Sequence, residues 1–134
     1  MDVKNNILFA ACRNPQTMVM LNAADGKIIT TLPIGQGVDG AAFNPDTMEA
    51  FSSQGDGTLT VIKENSPTSF EVVQTVKTRP GAKTLTLDAK TNRIALITAD
   101  RVKTPAQPAA QGQGGRGRRA PLVPGSFTIL VVGR

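Results

Sequence analysis

The stretch LTLDAKTNRIALITA, residues 85–99, predicts a strand, a tight polar turn and a second strand. Aliphatic and β-branched residues stand on both sides of a short polar centre, which is typical of two paired strands. The same pattern occurs at residues 41–53, and the chain opens inside a third copy at residues 2–11. An acid or amide heads each turn: Asp2, Asn44 and Asp88. The sequence is therefore built from a repeat.

The repeat and the segments between its copies predict ten short strands in three up-and-down sheets of three, four and three strands. No stretch has a helical period. A repeat of roughly 40–45 residues is the length of one four-stranded propeller blade. We therefore predict an all-β fold, a partial β-propeller of about three blades. Residues 1–134 form one domain, divided into a partial blade (1–33), a full blade (34–77) and a partial blade (78–134) with an insertion at 101–125.

The first unit lacks its first strand and the last unit lacks its fourth, so we expect the chain to be a segment of a longer array. Such an arc leaves apolar blade faces bare and strand edges unpaired. We therefore expect self-association, in which copies close a ring or exchange a strand. The alternative is an arc that collapses on itself.

The composition excludes several kinds of catalytic centre. The chain has no His, the commonest general base and metal ligand, and Cys12 is its only Cys. A Ser-His-Asp centre, a Cys-His centre, an intrachain disulfide and a cysteine zinc cluster cannot be built from this chain alone. Cys12 follows an apolar run and is predicted to be a buried, inert thiol. We expect no cofactor, no metal and no membrane span.

The net charge of +5 belongs to one segment rather than to the fold. Five basic residues and no acid lie in or beside the insertion: Arg101, Lys103, Arg116, Arg118 and Arg119. Arg-Gly segments can bind phosphate backbones, but this one has no aromatic residues to stack on bases. The nucleic-acid hypothesis therefore depends on Arg116, Arg118 and Arg119 alone. The alternative is a flexible solvated insertion, because Pro, Gly, Gln and Ala cannot build a core.

Residues 22–35, NAADGKIITTLPIG, resemble the hairpin and crossover of the YVTN-repeat, YncE-like β-propeller family. Residues 37–45 resemble the inner strand and turn that follow. Residues 88–98 resemble the next turn and the aromatic-Val-Thr-Asn strand, although Leu96-Ile-Thr-Ala99 lacks the aromatic residue and the Asn. The resemblance covers nearly the whole chain, which would hold the C-terminal blades only.

The resemblance implies a seven-bladed ring in the complete protein, usually without an assigned activity. Family members are often exported, but Met1 is followed at once by polar residues and no signal peptide is visible. The localisation is therefore left open. Related propellers include lactonases and quinone-cofactor enzymes, whose catalytic signatures find no match in this chain.

In an up-and-down blade alternate connections emerge on opposite sides of the disc, so one side collects the longer and more varied loops. If the chain binds a ligand, we expect it there. The candidate binding residues on that side are Arg13, Asn14, Gln36, Asp39, Gln54, Asp56, Arg79 and Arg101. The alternative is that they are solvated turn residues.

Three functions are compatible with these observations. The first is a non-catalytic repeat segment that acts as a scaffold or binding module for a protein or small ligand. The second is the C-terminal part of a lactonase-like or quinone-dependent propeller enzyme whose catalytic groups lie in other blades. The third is a nucleic-acid-associated propeller that uses the Arg-Gly segment. We predict the first, because no catalytic constellation is present in the sequence.

Overall fold

The fold is taken from a computed structural model that describes residues 1–102 and 120–133. These residues form ten strands and no helix. The strands are β1 (Ile7–Arg13), β2 (Gln16–Asn22), β3 (Ile28–Pro33), β4 (Val38–Asn44), β5 (Glu49–Gln54), β6 (Thr58–Ser66), β7 (Ser69–Lys77), β8 (Lys83–Asp88), β9 (Arg93–Thr98) and β10 (Thr128–Val132). The all-β prediction and the number of strands are confirmed. Most of the insertion predicted at 101–125 lies outside the described residues.

The strands form three separate antiparallel sheets, each a simple meander. The first sheet has the order β1-β2-β3, the second β4-β5-β6-β7 and the third β8-β9-β10. The predicted grouping of three, four and three strands is therefore confirmed. None of the three sheets closes on itself. β1 and β10 are edge strands at opposite ends of the chain.

The repeat seen in the sequence is also a repeat of backbone geometry. The side chains of Asp2, Asn44 and Asp88 each accept a hydrogen bond at 2.9–3.0 Å from the backbone N–H two residues later. Four residues after each of them the chain takes a left-handed conformation, at Asn6 (φ 55°), Met48 (φ 52°) and Asn92 (φ 55°). Short polar side chains at the head of a turn favour this geometry. The three turns are copies of one structure, 42 and 44 residues apart.

The sheets stack face to face and enclose two apolar cores. Between the first and second sheets lie Ile7, Met18, Met20, Ala50 and Ile62, with the ring of Phe9 stacked on that of Phe43 at 4.9 Å. Between the second and third sheets lie Phe51, Leu59, Val61, Ile94 and Leu96. Full burial of an aliphatic side chain contributes about 1.5–3 kcal/mol. The second sheet is therefore covered on both faces, and the end sheets on one.

The first strands β4 and β8 approach each other closely at Gly40. A Cβ atom on Gly40 would lie 3.2 Å from the backbone nitrogen of Leu85 and 3.4 Å from its Cγ. The Gly and Ala residues of β4 therefore allow the neighbouring sheet to pack against its backbone.

Candidate functional site

The loops on one side of the sheets are hydrogen-bonded to each other, and we call this side the loop face. The Ile34 N–H donates to the Gln16 carbonyl, and the Gly55 N–H donates to the Gly37 carbonyl. The Gly81 N–H donates in turn to the Gly55 carbonyl. The crossovers between sheets and the hairpin loops therefore form one continuous surface, as alternate connections of antiparallel meanders must.

Asp39 is the centre of a polar cluster on the loop face, the Asp39 cluster. Its Oδ2 accepts a 2.8 Å hydrogen bond from Thr84 Oγ1. Its Oδ1 lies 3.4 Å from Arg13 Nη2 and 3.7 Å from Lys83 Nζ. The Thr84 hydrogen bond, with Lys83 and Arg13 beside it, holds the pKa of Asp39 below its usual value. The carboxylate therefore stays ionised and ties β1, β4 and β8 together.

Thr84 has φ 57°, an unfavourable conformation for a β-branched residue. It lies where the pairing of β8 with β9 shifts register, and Gly40 marks the equivalent shift between β4 and β5. Strained residues of this kind persist where surrounding contacts hold them, and they cluster at functional sites. Here the Asp39 hydrogen bond holds the side chain. Sequence reasoning missed Lys83 and Thr84, although Thr at the repeat position of Gly40 was a signal.

Asp56 and Gln54 serve the structure of the loops. Asp56 Oδ2 accepts a 2.6 Å hydrogen bond from the Gln36 N–H, and its Oδ1 accepts from the Thr58 N–H at 3.0 Å. Gln54 is fully buried. Its Nε2 donates to Ser52 Oγ at 2.7 Å, and its Oε1 accepts from Thr58 Oγ1 at 3.0 Å. Gln36 and Asp56 were both predicted on this side and lie together. Gln54 is not presented to solvent.

Arg79 lies at the base of the predicted insertion. Its guanidinium contacts Asp100 Oδ1 at 2.5 Å and donates to Thr128 Oγ1 at 3.2 Å. Arg101 donates from Nη1 to the carbonyl of Ala120 at 2.6 Å. Both predicted arginines therefore help to bring the two ends of the insertion together.

A cavity of about 620 Å³ opens between these groups on the loop face. Its apolar lining residues include Ile97, Leu122 and Phe127. Its polar lining residues include Lys83, which is paired with Ile97 across β8 and β9, together with Thr84, Asp100 and Arg101. Asp100 is paired with Arg79, whereas Arg101 forms no ion pair with a described residue. The arrangement suits a small molecule with an apolar body and an acidic group.

The other predicted binding residues are divided between the surface and the undescribed part of the chain. Asn14 is exposed in the turn between β1 and β2. Arg116, Arg118 and Arg119 lie outside the described residues, so the nucleic-acid hypothesis stays a prediction. Cys12, predicted as a buried inert thiol, is only partly buried, with its thiol 3.9 Å from the Ala10 carbonyl.

Two buried carboxyl groups lie on the opposite side of the sheets, where the Asp2 turn meets β6. Asp2 and Glu64 are each about 3% exposed. The Asn5 amide donates to Glu64 Oε1 at 2.9 Å, and the Lys4 N–H donates to Asp2 Oδ1. Asp2 Oδ2 and Glu64 Oε2 have no hydrogen-bond partner among the described residues. Burial raises the pKa of Glu64, and the Asp2 carboxyl adds to this effect. The pair favours a protonated Glu64.

Within residues 1–102 and 120–133, no three His, Cys, Asp or Glu side chains stand close enough to hold a metal ion together. The same two ranges contain no helix long and apolar enough to cross a membrane. Comparison with known proteins finds no protein-family model and no curated protein that matches this chain.

Proposed function

We propose that this chain is a segment of a YVTN-type, YncE-like β-propeller and acts as a non-catalytic scaffold or binding module. The observation that supports this best is the turn repeated at Asp2, Asn44 and Asp88, each copy followed by a strand of a different sheet. Stacked copies of one supersecondary unit are the architecture of repeat proteins. A scaffold of this kind presents loops on a rigid frame.

The binding surface of the proposed module is the loop-face cavity. Its cationic group without an ion pair to a described residue is Arg101, and its apolar lining includes Leu122 and Phe127. A small carboxylate with an aliphatic body matches both features, because the charge can pair with the guanidinium while the hydrocarbon leaves water.

Sodium octanoate is a direct probe of this site, and octylamine hydrochloride is its control with the same chain and the opposite charge. In NMR titrations we expect octanoate to shift the amide signals of Lys83, Thr84 and Arg101 saturably, and octylamine to leave them unchanged. Arg101→Ala should weaken octanoate binding, whereas Arg93→Ala, an exposed arginine of β9, should not. Equal shifts from both compounds, or none, would contradict the proposed site.

Self-association is the second part of the proposal. The end sheets carry exposed apolar side chains, among them Ile28 and Ile129. Large apolar patches of this kind mark interaction surfaces. Light scattering after size exclusion, from micromolar to millimolar chain, should give a mass that rises with concentration. A constant monomer mass over that range would remove this part of the proposal.

A further inference from the structure

The first sheet packs on the second and the second packs on the third, and we call these two contacts junctions. Both junctions are formed by the same two faces of the repeat. Residues seven and nine positions after each turn head point toward the next sheet, and with their partners on the following strand they form what we call the leading face. In the first sheet it comprises Phe9, Ala11, Met18 and Met20, and in the second Phe51, Ser53, Leu59 and Val61. Both sets are covered by the next sheet.

The opposite surface of each sheet is the trailing face, which packs on the preceding sheet. In the second sheet it comprises Ala50, Ser52, Thr60 and Ile62, and in the third Ile94, Leu96, Leu130 and Val132. Each of the two internal junctions therefore joins a leading face to a trailing face. The junctions differ in sequence but not in repeat position or strand pairing.

One face of each kind remains bare at the ends of the chain. The leading face of the third sheet is Ala95, Ile97, Ile129 and Val131, paired across β9 and β10 as their counterparts are across β5 and β6. Ile129 is 60% exposed and Val131 62%. The trailing face of the first sheet is Leu8, Ala10, Val19 and Leu21, continued on β3 by Ile28. Leu8 is 43% exposed and Ile28 64%.

We infer that a second copy of this chain covers these surfaces head to tail, the leading face of one copy on the trailing face of the next. The inference rests on the proposed self-association and specifies its geometry. The proposed junction between copies has the same geometry as the two junctions inside the chain. The four leading-face and four trailing-face residues that would meet in it all have uncharged side chains. Such a contact is heterologous, so it generates a ring if the rotation closes and a filament otherwise.

Two double variants of exposed residues block one face each. Ile129→Asp with Val131→Asp blocks the leading face, and Leu8→Asp with Ile28→Asp blocks the trailing face. Each variant alone should remain monomeric, with association weakened on the order of 100-fold or more, because charges enter an apolar contact. Val73→Asp, at an exposed position of β7 on neither end face, should associate like the unmodified chain. Circular dichroism checks that all variants fold.

The decisive measurement is the mass of a one-to-one mixture of the two double variants, by sedimentation velocity. Each retains the face that the other lacks, so the mixture should form one-to-one dimers and nothing larger. If either variant dimerises alone, the contact joins two like faces and the inference is wrong. A mixture that stays monomeric while the unmodified chain associates overturns it too. If the unmodified chain itself stays monomeric, the proposed self-association also fails.

Discussion

β5 and β9 occupy the same place in the repeat but differ in burial. β5 is buried at all six of its positions, whereas β9 is buried only at alternate ones. At one shared position Ser53 is fully buried and Ile97 is 40% exposed. The polar residue is covered and the apolar one is not, because the second sheet has a neighbour on both faces and the third on one. Burial here follows the stacking of sheets and not the hydrophobicity of the residue.

The largest effect that tests this comparison comes from Leu59 and Ile129, which share one repeat position. Leu59→Ala should reduce the free energy of unfolding by about 3 kcal/mol, because it opens a cavity between the second and third sheets. Ile129→Ala should change it by less than about 0.5 kcal/mol in dilute chain, where the face is exposed. Urea denaturation at low micromolar concentration measures both. Equal losses would mean that the third sheet is covered as well as the second.

The second prediction concerns the buried carboxyl pair of Asp2 and Glu64, where the turn before β1 meets β6. Since the folded state raises the pKa of Glu64 above 4.5, the protonated group contributes stability below that pH, and the contribution is lost as pH rises through the folded pKa. Glu64→Gln should therefore stabilise the chain by about 1–2 kcal/mol at pH 7, since Nε2 can donate to Asp2 Oδ2. The gain should shrink toward pH 4.

Glu71→Gln is the matched control, because Glu71 is exposed and accepts a comparable hydrogen bond from the Asn65 amide at 2.8 Å. Its effect on thermal unfolding should be small at both pH values. If Glu64→Gln destabilised the chain at pH 7, the carboxylate would have to be paired there with a cation, and the interpretation of the pair would be wrong.

The third prediction concerns Asp39, which joins the first strands of the second and third sheets. The pKa of Asp39 in the folded state lies below 3.8. The ionised carboxylate therefore contributes to the stability of the fold above that pH, and this contribution is lost as pH falls through the folded pKa. Asp39→Asn should cost about 1 kcal/mol at pH 7, with less difference from the unmodified chain in acid. Asp25→Asn, at an exposed pair with Lys27, should cost almost nothing in the same denaturation series. Equal costs would show that the Thr84 hydrogen bond adds no stability.

Local chemistry in the sequence was sufficient to predict the sheets. Asp2, Asn44 and Asp88 favour one turn geometry. The alternation of apolar and polar residues on either side of each turn predicts a strand there and no other element. The ends were less accurate, since the sequence pattern predicts that the first of these strands ends at Ala11 and the sixth at Ile62, whereas β1 continues to Arg13 and β6 to Ser66. A strand continues as long as its neighbour offers a pairing partner, and that depends on the partner's length.

The candidate site could be predicted only as a side of the molecule. Arg13 and Asp39 were placed on the same side from the order of the loops, and they lie in contact. The hydrogen bond from Thr84 to Asp39 depends on the register shift between β8 and β9. Such a shift of the backbone pairing cannot be recognised from the residue types of the strand. Gln54 bonds Ser52 on the trailing face, and a Cβ atom on Gly35 would lie 3.0 Å from its Cγ. Its burial therefore depends on the crossover from the first sheet packing against it, which no local pattern encodes.

The smallest predicted effect is at Ser53, the buried member of the pair that opened the comparison. Its Oγ has no hydrogen-bond partner within residues 1–102 and 120–133, although the side chain is fully buried. A buried hydroxyl without a partner costs free energy, so Ser53→Ala should stabilise the chain by roughly 0.5–1 kcal/mol. Ser52→Ala, one residue earlier and equally buried, removes an oxygen that accepts a 2.7 Å hydrogen bond from Gln54, and should destabilise instead. If Ser53→Ala stabilises the chain and Ser52→Ala destabilises it, burying a hydroxyl in this strand costs free energy unless the hydroxyl has a hydrogen-bond partner. Equal signs would mean that a partner of Ser53, such as a bound water, is part of the junction.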